Sequence, residues 1–84
     1  MSQADTIRAY VHKAFIEPAR KAGRTQVVVG ADQVHKDLRL NARFPLVCSA
    51  LDAKKFQDDY RVLLSSRTGP LQGSTVKWTF SLQK

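Results

Sequence analysis

The clearest hydrophobic pattern in the middle of the chain lies between Asp32 and Phe56, where apolar side chains recur with helical spacing. Val34 and Leu38 are four residues apart and therefore lie on one side of a helix. The residues Asn41-Ala42-Arg43 are typical of a turn. Pro45 suits the first turn of a second helix, because its missing N–H has no partner there. The apolar stripe of that helix has i, i+3, i+4 and i+7 spacing and consists of Phe44, Val47, Cys48 and Leu51. The pattern predicts two short amphipathic helices joined by a tight turn.

Helical spacing also marks the N-terminal part of the chain. Ser2 or Asp5 is placed to cap this first helix. Pro18 interrupts the pattern, so the helix either kinks there or stops and a further turn begins with the proline. Gly23 is predicted to be a left-handed stop. The buried stripe of the helix is predicted to consist of Ile7, Tyr10, Val11, Ala14 and Phe15.

The residues that follow the second helix of the pair leave two interpretations open. Asp52 is placed to cap a further helical turn over residues 53–60, or the second helix simply continues. Phe56 and Tyr60 are four residues apart and pack inward in either case.

From Arg61 onward the hydrophobic period changes from helical spacing to two. Val62 and Leu64 alternate with Leu63 and Ser65, and after a Gly/Pro/Ser-rich segment over 66–74 the alternation returns. The second run has its apolar face at Val76, Trp78, Phe80 and Leu82. These two runs predict an antiparallel hairpin, and the β-rich residues 27–29 can add a third strand at its edge.

Composition and charge narrow the function. The 84 residues make one small domain, 1–84, with 14 basic and 7 acidic side chains and a net charge of +7. Such an excess favours a polyanionic partner, most often nucleic acid. No apolar run approaches the length of a membrane span, and residues 1–5 lack the features of a signal peptide. Together with the single cysteine, this predicts a cytoplasmic protein, at the nucleoid or, in a eukaryote, in the nucleus.

The order helix, strand, helix, helix, strand, strand resembles a winged helix-turn-helix domain over nearly the whole chain. The residues that carry the resemblance are the strand at 27–29, the apolar positions Val34, Leu38 and Leu40, the stripe of the second helix, and the closing hairpin. The resemblance implies an α+β fold, in which a three-helix core with the helix-turn-helix packs on a small antiparallel sheet whose hairpin forms the wing. Phe44 and Pro45 depart from the small polar residues that often open a recognition helix, and the loop between the strands is long.

The resemblance implies binding to double-stranded DNA, as a small transcription regulator or an architectural protein. The second helix of the pair would enter the major groove and the wing would contact the minor groove or the backbone. Only Arg43 has the fork that suits guanine, so phosphate contacts are expected to dominate. The expected contact residues are Lys36, Arg39, Asn41, Arg43, Ser49, Lys54, Lys55, Arg67, Thr68, Gln72 and Lys77. For Lys36, Arg39 and Arg67 a merely solvated charge explains the residue equally well, and for Asn41 a turn-forming role does.

Two other functions stay open. A winged helix can serve as a protein-interaction module, here with Tyr10 and Ile16 of the first helix as the surface of a homodimer. RNA binding also fits the charge. No enzyme, metal, cofactor, membrane or small-molecule substrate is expected. His12, His35 and Cys48 lack metal-ligand spacing, Cys48 lies in an apolar stripe, and Trp78 shares the apolar face of a strand and is predicted to be core.

Overall fold

The computed structural model describes residues 2–82, and these form an α+β fold. The N-terminal helix consists of α1 (Gln3–Val11), a π-helical segment (His12–Ile16) and α2 (Glu17–Lys21). The remaining elements are, in order, β1 (Gln26–Gly30), α3 (Ala31–Asp37), α4 (Phe44–Asp52), α5 (Lys54–Tyr60), β2 (Val62–Thr68) and β3 (Lys77–Leu82). The predicted pair of short helices is therefore confirmed as α3 and α4, and the residues after Ala53 form a separate helix, α5.

The strands make one antiparallel sheet in the order β1-β3-β2. The predicted hairpin and the third strand at its edge are thus confirmed, with β1 paired to β3. Between Leu64 and Ser66 the register of β2 against β3 shifts, which marks a β-bulge. The bulge reverses the alternation of β2, so that Arg67 rather than Ser66 lies beside Trp78.

The core fills the space between the inner face of the sheet and the helices. Trp78, Phe56 and Phe80 are its largest fully buried side chains, and the Phe56 and Phe80 rings lie 5.1 Å apart. The apolar stripe of α4 joins this cluster through Val47, Cys48 and Leu51. Trp78 is therefore a core residue, as its strand pattern predicts, and Cys48 is buried. No helix within residues 2–82 combines the length and the apolar character that crossing a bilayer requires.

The N-terminal helix departs from the predicted stripe at one point. Ser2 caps it by accepting a hydrogen bond from the Asp5 N–H, and Ile7 and Val11 are buried. Beyond them, Ile16 is buried, Phe15 is only partly buried and Ala14 is exposed. The π-helical turn holds an extra residue, so the inward position moves one place along the chain. The prediction that Ala14 lies in the stripe was wrong for this reason.

Pro18 neither stops the helix nor starts a new one. The helix continues to Lys21, and Pro18 lies in the first turn of α2, directly after the π-helical segment, where its missing N–H is tolerated. Gly23, with φ +75°, then ends the helix in the left-handed conformation, as predicted.

The turn between α3 and α4 is fixed by His35. Its Nε2 accepts a hydrogen bond from the Arg43 N–H at 3.1 Å, and its ring stacks on Phe44 with centroids 4.0 Å apart. Arg39 and Ala42 both adopt positive φ, 54° each, a conformation that usually favours glycine. The turn is thus held in one shape by side-chain contacts.

Candidate nucleic-acid interface

Three cations and one asparagine at the turn are predicted to contact DNA, and all four side chains lie in solvent. Lys36, Arg39, Asn41 and Arg43 are exposed, and we call these four residues the turn set. The Arg43 guanidinium donates a hydrogen bond to the Gln3 side chain at 3.3 Å, which places the turn set beside the beginning of α1. Lys36 and Arg39 make no ion pair with any residue in the described part of the chain, so their charges face solvent.

Helix α4 offers a narrow strip to solvent between its buried positions. Pro45 and Ser49 are exposed, while Val47, Cys48, Ala50 and Leu51 are buried. Asp52 continues the strip, since positions 45, 49 and 52 have i, i+4 and i+7 spacing. Ser49 is therefore the one polar side chain in the middle of the strip, and the sequence is right that this face is poor in base-reading groups.

The strip ends at an ion pair that joins α4 to the sheet. The Asp52 carboxylate accepts hydrogen bonds from Arg67 Nε at 2.7 Å and Arg67 Nη2 at 3.1 Å. It also accepts one from the indole N–H of Trp78 at 2.7 Å. Asp52 thereby raises the pKa of the Arg67 guanidinium above its usual range. The predicted alternative that Asp52 caps α5 was wrong, because its carboxylate is used here and α5 begins without a side-chain cap.

Arg67 lies inside β2 and not at the hairpin tip where the sequence placed it. The β-bulge turns its side chain toward Trp78, and the guanidinium carbon lies 5.8 Å from that ring. The guanidinium also donates to the Pro70 carbonyl at 2.9 Å and the Leu71 carbonyl at 2.6 Å. With most of its donors used inside the protein, Arg67 holds the hairpin loop in place, and we leave it out of the interface.

The hairpin loop presents a residue that the sequence patterns did not single out. Leu71 is 81% exposed at the tip, while its own carbonyl is held by Arg67. Thr68, Gln72 and Lys77 are exposed around the same loop, and Lys77 pairs in register with both Gly30 and Thr68. The length of the loop was visible in the sequence, but the exposure of Leu71 and the hydrogen bonds from Arg67 to the loop carbonyls were not.

Lys54 and Lys55 occupy a different environment from the turn set. Lys54 Nζ lies 3.7 Å from Asp58, and Lys55 Nζ lies 2.9 Å from Asp59. The hydrogen bond and the charge of Asp59 raise the pKa of Lys55. The exposed face of α5 is therefore close to neutral, and it is a weaker candidate for phosphate contact than the turn set.

The other groups considered from the sequence are placed as follows. Ile16, offered as part of a dimer surface, is buried and faces the core. Tyr10 is partly buried and donates a hydrogen bond to Asp37. Within residues 2–82, no group of three or more His, Cys, Asp or Glu side chains is placed to hold a metal ion.

The turn set directly precedes the N-terminal end of α4, and the Asp52–Arg67 ion pair holds the hairpin loop at the C-terminal end of that helix. α4 has nine residues and spans about 14 Å at 1.5 Å per residue, so the turn and the loop lie on either side of a short helix. Comparison of the chain with protein families, with curated proteins and with solved structures finds no match.

Proposed function

We propose that this chain is a winged-helix domain that binds double-stranded DNA, mainly through the phosphate backbone. The observation that carries the proposal is the placement of the turn set at one end of α4 and of the hairpin loop at the other end. In this assignment α3 and α4 form the helix-turn-helix, and the loop between β2 and β3 is the wing.

The arrangement of elements supports the winged-helix assignment. One strand precedes the helix pair and two follow it, and the first strand pairs with the last. This pairing closes the sheet against the helices and leaves the β2–β3 loop free to extend beside α4. The Asp52–Arg67 ion pair, in which Arg67 Nε lies 2.7 Å from Asp52 Oδ1, fixes that loop against the end of α4.

The chemistry of the surface favours backbone contacts over base reading. Arg39 and Arg43 present guanidinium groups at the turn, and guanidinium binds phosphate in a bidentate manner. Ser49 and Asn41 can add hydrogen bonds, but α4 carries no other exposed polar residue before Asp52. Modest sequence preference and a strong dependence on salt follow from this composition.

The hairpin loop extends the contact. Leu71 has the character of the apolar side chains that minor-groove proteins place against the sugar edges or between base steps. Lys77, with Thr68 and Gln72, supplies charge and hydrogen bonds around it. Because Arg67 holds the loop backbone, the loop loses little conformational entropy when it meets DNA.

Fluorescence anisotropy of a labelled duplex, titrated at several salt concentrations, tests the proposal. We expect the Arg39→Gln and Arg43→Gln variants each to weaken binding and to lower the slope of log affinity against log salt by about 1. Lys13→Gln is the matched control, because Lys13 is an exposed cation on the N-terminal helix, away from the turn. Parallel titrations with duplex RNA and single strands set the preference among nucleic acids.

Two outcomes would contradict the proposal. One is duplex binding that is undetectable at low salt. The other is an equal loss of affinity in the Lys13 control, which would mean that net charge alone is being measured.

A further inference from the structure

A second group of cations lies at the opposite end of the N-terminal helix from the turn set. It consists of Arg20, Lys21, Arg24 and Arg61, and we call it the sheet-end cluster. Lys21, Arg24 and Arg61 are exposed, and Arg20 is partly buried. Arg20 Nη2 donates to the carbonyls of Tyr60 at 2.8 Å and Arg61 at 2.7 Å, which ties the end of α2 to the end of α5.

The sheet register brings Arg24 and Arg61 close to each other. The Leu82 N–H donates to the Thr25 carbonyl at 2.9 Å, and Val62 pairs with Leu82 on the other side. Thr25, Leu82 and Val62 therefore form one row across the sheet, which spans about 10 Å at two strand spacings. Arg24 and Arg61 each precede one end of that row by a single residue. Two side chains as long as arginine can reach one phosphate, or two adjacent ones, from such positions.

Arg20 has a structural role, and Lys21 in the last turn of α2 complements the helix dipole, but neither role accounts for Arg61. The last carbonyls of α5 are bonded by Arg20, so the exposed Arg61 side chain is not needed as a cap. Arg61 nevertheless occupies the left-handed position, with φ 56°, where glycine is the easier residue. The Nε of Arg20 is buried and has no hydrogen-bond partner among residues 2–82. The cluster thus holds a spare buried donor and three exposed cations.

The acidic residues nearest in sequence are paired with other groups. Glu17 lies 3.7 Å from His12, and Asp59, two residues before Arg61, lies 2.9 Å from Lys55. Within the described part of the chain, no ion pair involves a member of the sheet-end cluster. Among residues 2–82, therefore, no acidic side chain forms an ion pair that neutralises the charge of the cluster.

The two cationic groups are too far apart to serve one phosphate. The turn set lies beside Gln3 and the sheet-end cluster lies beside Arg20, so the length of the N-terminal helix, about 27 Å, separates them. The longest extent of the molecule is 34 Å. A duplex held at the turn set and a second strand or duplex at the sheet-end cluster can therefore be bound at the same time.

We propose that the sheet-end cluster is a second phosphate-binding site, which takes the backbone of a second nucleic-acid segment, so that one copy of the domain bridges two segments. The bridging rests on the proposed DNA binding by the turn set. The second site itself rests only on the geometry of Arg20, Lys21, Arg24 and Arg61.

Amide NMR signals locate the two sites separately. We expect a duplex of about one helical turn to shift the signals of Arg24 and Arg61 in addition to those of Asn41 and Arg43. In the Arg43→Gln variant the shifts at Arg24 and Arg61 should persist while those at the turn weaken. A separate titration with inorganic phosphate alone shows whether the site takes the free ion instead of a nucleic-acid backbone.

Energy transfer between two differently labelled duplexes measures bridging. We expect it with the wild-type chain and not with the Arg24→Gln/Arg61→Gln variant, which should keep its first-duplex affinity within about threefold because the turn set is unchanged. Lys13→Gln, at an exposed cation outside both groups, is the control and should keep bridging. Arg20 is left in place because it joins α2 to α5. If the Arg61→Gln substitution disturbs folding, the Lys21→Gln/Arg24→Gln variant is tested in place of Arg24→Gln/Arg61→Gln.

The outcomes separate the two proposals. Shifts at the turn alone, with bridging unchanged in the Arg24→Gln/Arg61→Gln variant, overturn the second site and leave the first. Shifts at Arg24 and Arg61 alone support the second site and overturn the first. If inorganic phosphate shifts the amide signals of the sheet-end cluster and a duplex does not, the second site is overturned as a nucleic-acid site. If a duplex shifts no amide signal at either site, both proposals are overturned.

Discussion

Asp52 joins α4, β2 and β3 through one carboxylate, and this makes it the most consequential polar side chain of the fold. In the Asp52→Ala variant the indole N–H of Trp78 and the guanidinium of Arg67 both lose their acceptor. The Arg67 and Asp52 side chains are 22% and 32% exposed, so water compensates in part. We expect a loss of about 2 kcal/mol in the free energy of unfolding.

Urea unfolding followed by Trp78 fluorescence measures the effect of Asp52→Ala. Asp58→Ala is the matched control, because its ion pair with Lys54 is exposed and should be worth no more than about 0.5 kcal/mol. Equal effects of the two substitutions would show that the Asp52 contacts carry no special weight.

Tyr10 gives the fold a dependence on alkaline pH. Burial, together with the hydrogen bond to Asp37 and the charge of that residue, raises the pKa of Tyr10 to about 12. Below pH 10 the folded and unfolded chains both keep the phenol proton. Between about pH 10 and about pH 12 the unfolded chain loses that proton first, because an unperturbed tyrosine has a pKa of about 10, so the free energy of unfolding falls as pH rises.

Comparison with the Tyr10→Phe variant separates the contribution of Tyr10 to this pH dependence from the contribution of the lysines, which titrate in the same pH range. Urea unfolding at several pH values should show the Phe variant less stable by about 1 kcal/mol at neutral pH, since one hydrogen bond is lost. The difference between the two proteins should shrink toward pH 12. A difference that stays constant across that range would contradict the role given to Tyr10.

At the scale of the elements, the sequence predicts the helices and strands that have a regular apolar period. It misses the two places where one extra residue interrupts that period. The helix pair, the strand before it and the closing hairpin follow from apolar spacings of 3.6 and 2. The π-helical turn and the β-bulge each insert a residue and shift every later side chain. Ala14 was placed on the buried face, and Arg67 at the hairpin tip instead of inside β2, because simple periodicity carries no sign of either insertion.

Pro18 and the π-helical segment depend on each other. Deletion of Ala14, which is exposed, converts the wide turn into a regular α-helical one and still leaves Ile16 facing the core. Pro18 would then lie in an α-helix interior, where its ring meets a carbonyl of the preceding turn at a cost of about 3 kcal/mol. We expect the deletion alone to lower the midpoint of thermal unfolding and its combination with Pro18→Ala to restore most of the loss. Thermal unfolding followed by circular dichroism measures the midpoints of the deletion variant and of the combined variant, and the Pro18→Ala variant alone is the reference.

At the scale of the whole molecule, the count of cations was known from the sequence but their distribution was not. Charge pairing at i, i+4 removes Lys54 and Lys55 from the strongest candidates, and a bulge removes Arg67. Seven of the others form a group beside Gln3 (Lys36, Arg39 and Arg43) and a group around Arg20 (Arg20, Lys21, Arg24 and Arg61), and the N-terminal helix separates these two groups. No sequence pattern shows this division, since Arg43 and Gln3, or Arg20 and Arg61, meet only through tertiary packing.

The excess of positive charge predicts opposite effects of salt on folding and on binding. The extents of the molecule are 34, 27 and 21 Å, and the net charge is +7. At about 0.01 M salt the Debye length is about 30 Å and all the cations repel one another, whereas at about 0.1 M it is about 10 Å and only neighbours interact. We therefore expect the free energy of unfolding to rise with NaCl over this range, by on the order of 1 kcal/mol, while duplex affinity falls. Urea titrations at the two salt concentrations measure the first effect, and the Lys13→Gln/Lys21→Gln variant, with less repulsion, should show a smaller rise. Stability that falls with salt would mean that the short ion pairs, and not the unpaired cations of the turn set and the sheet-end cluster, dominate the electrostatics of the free protein.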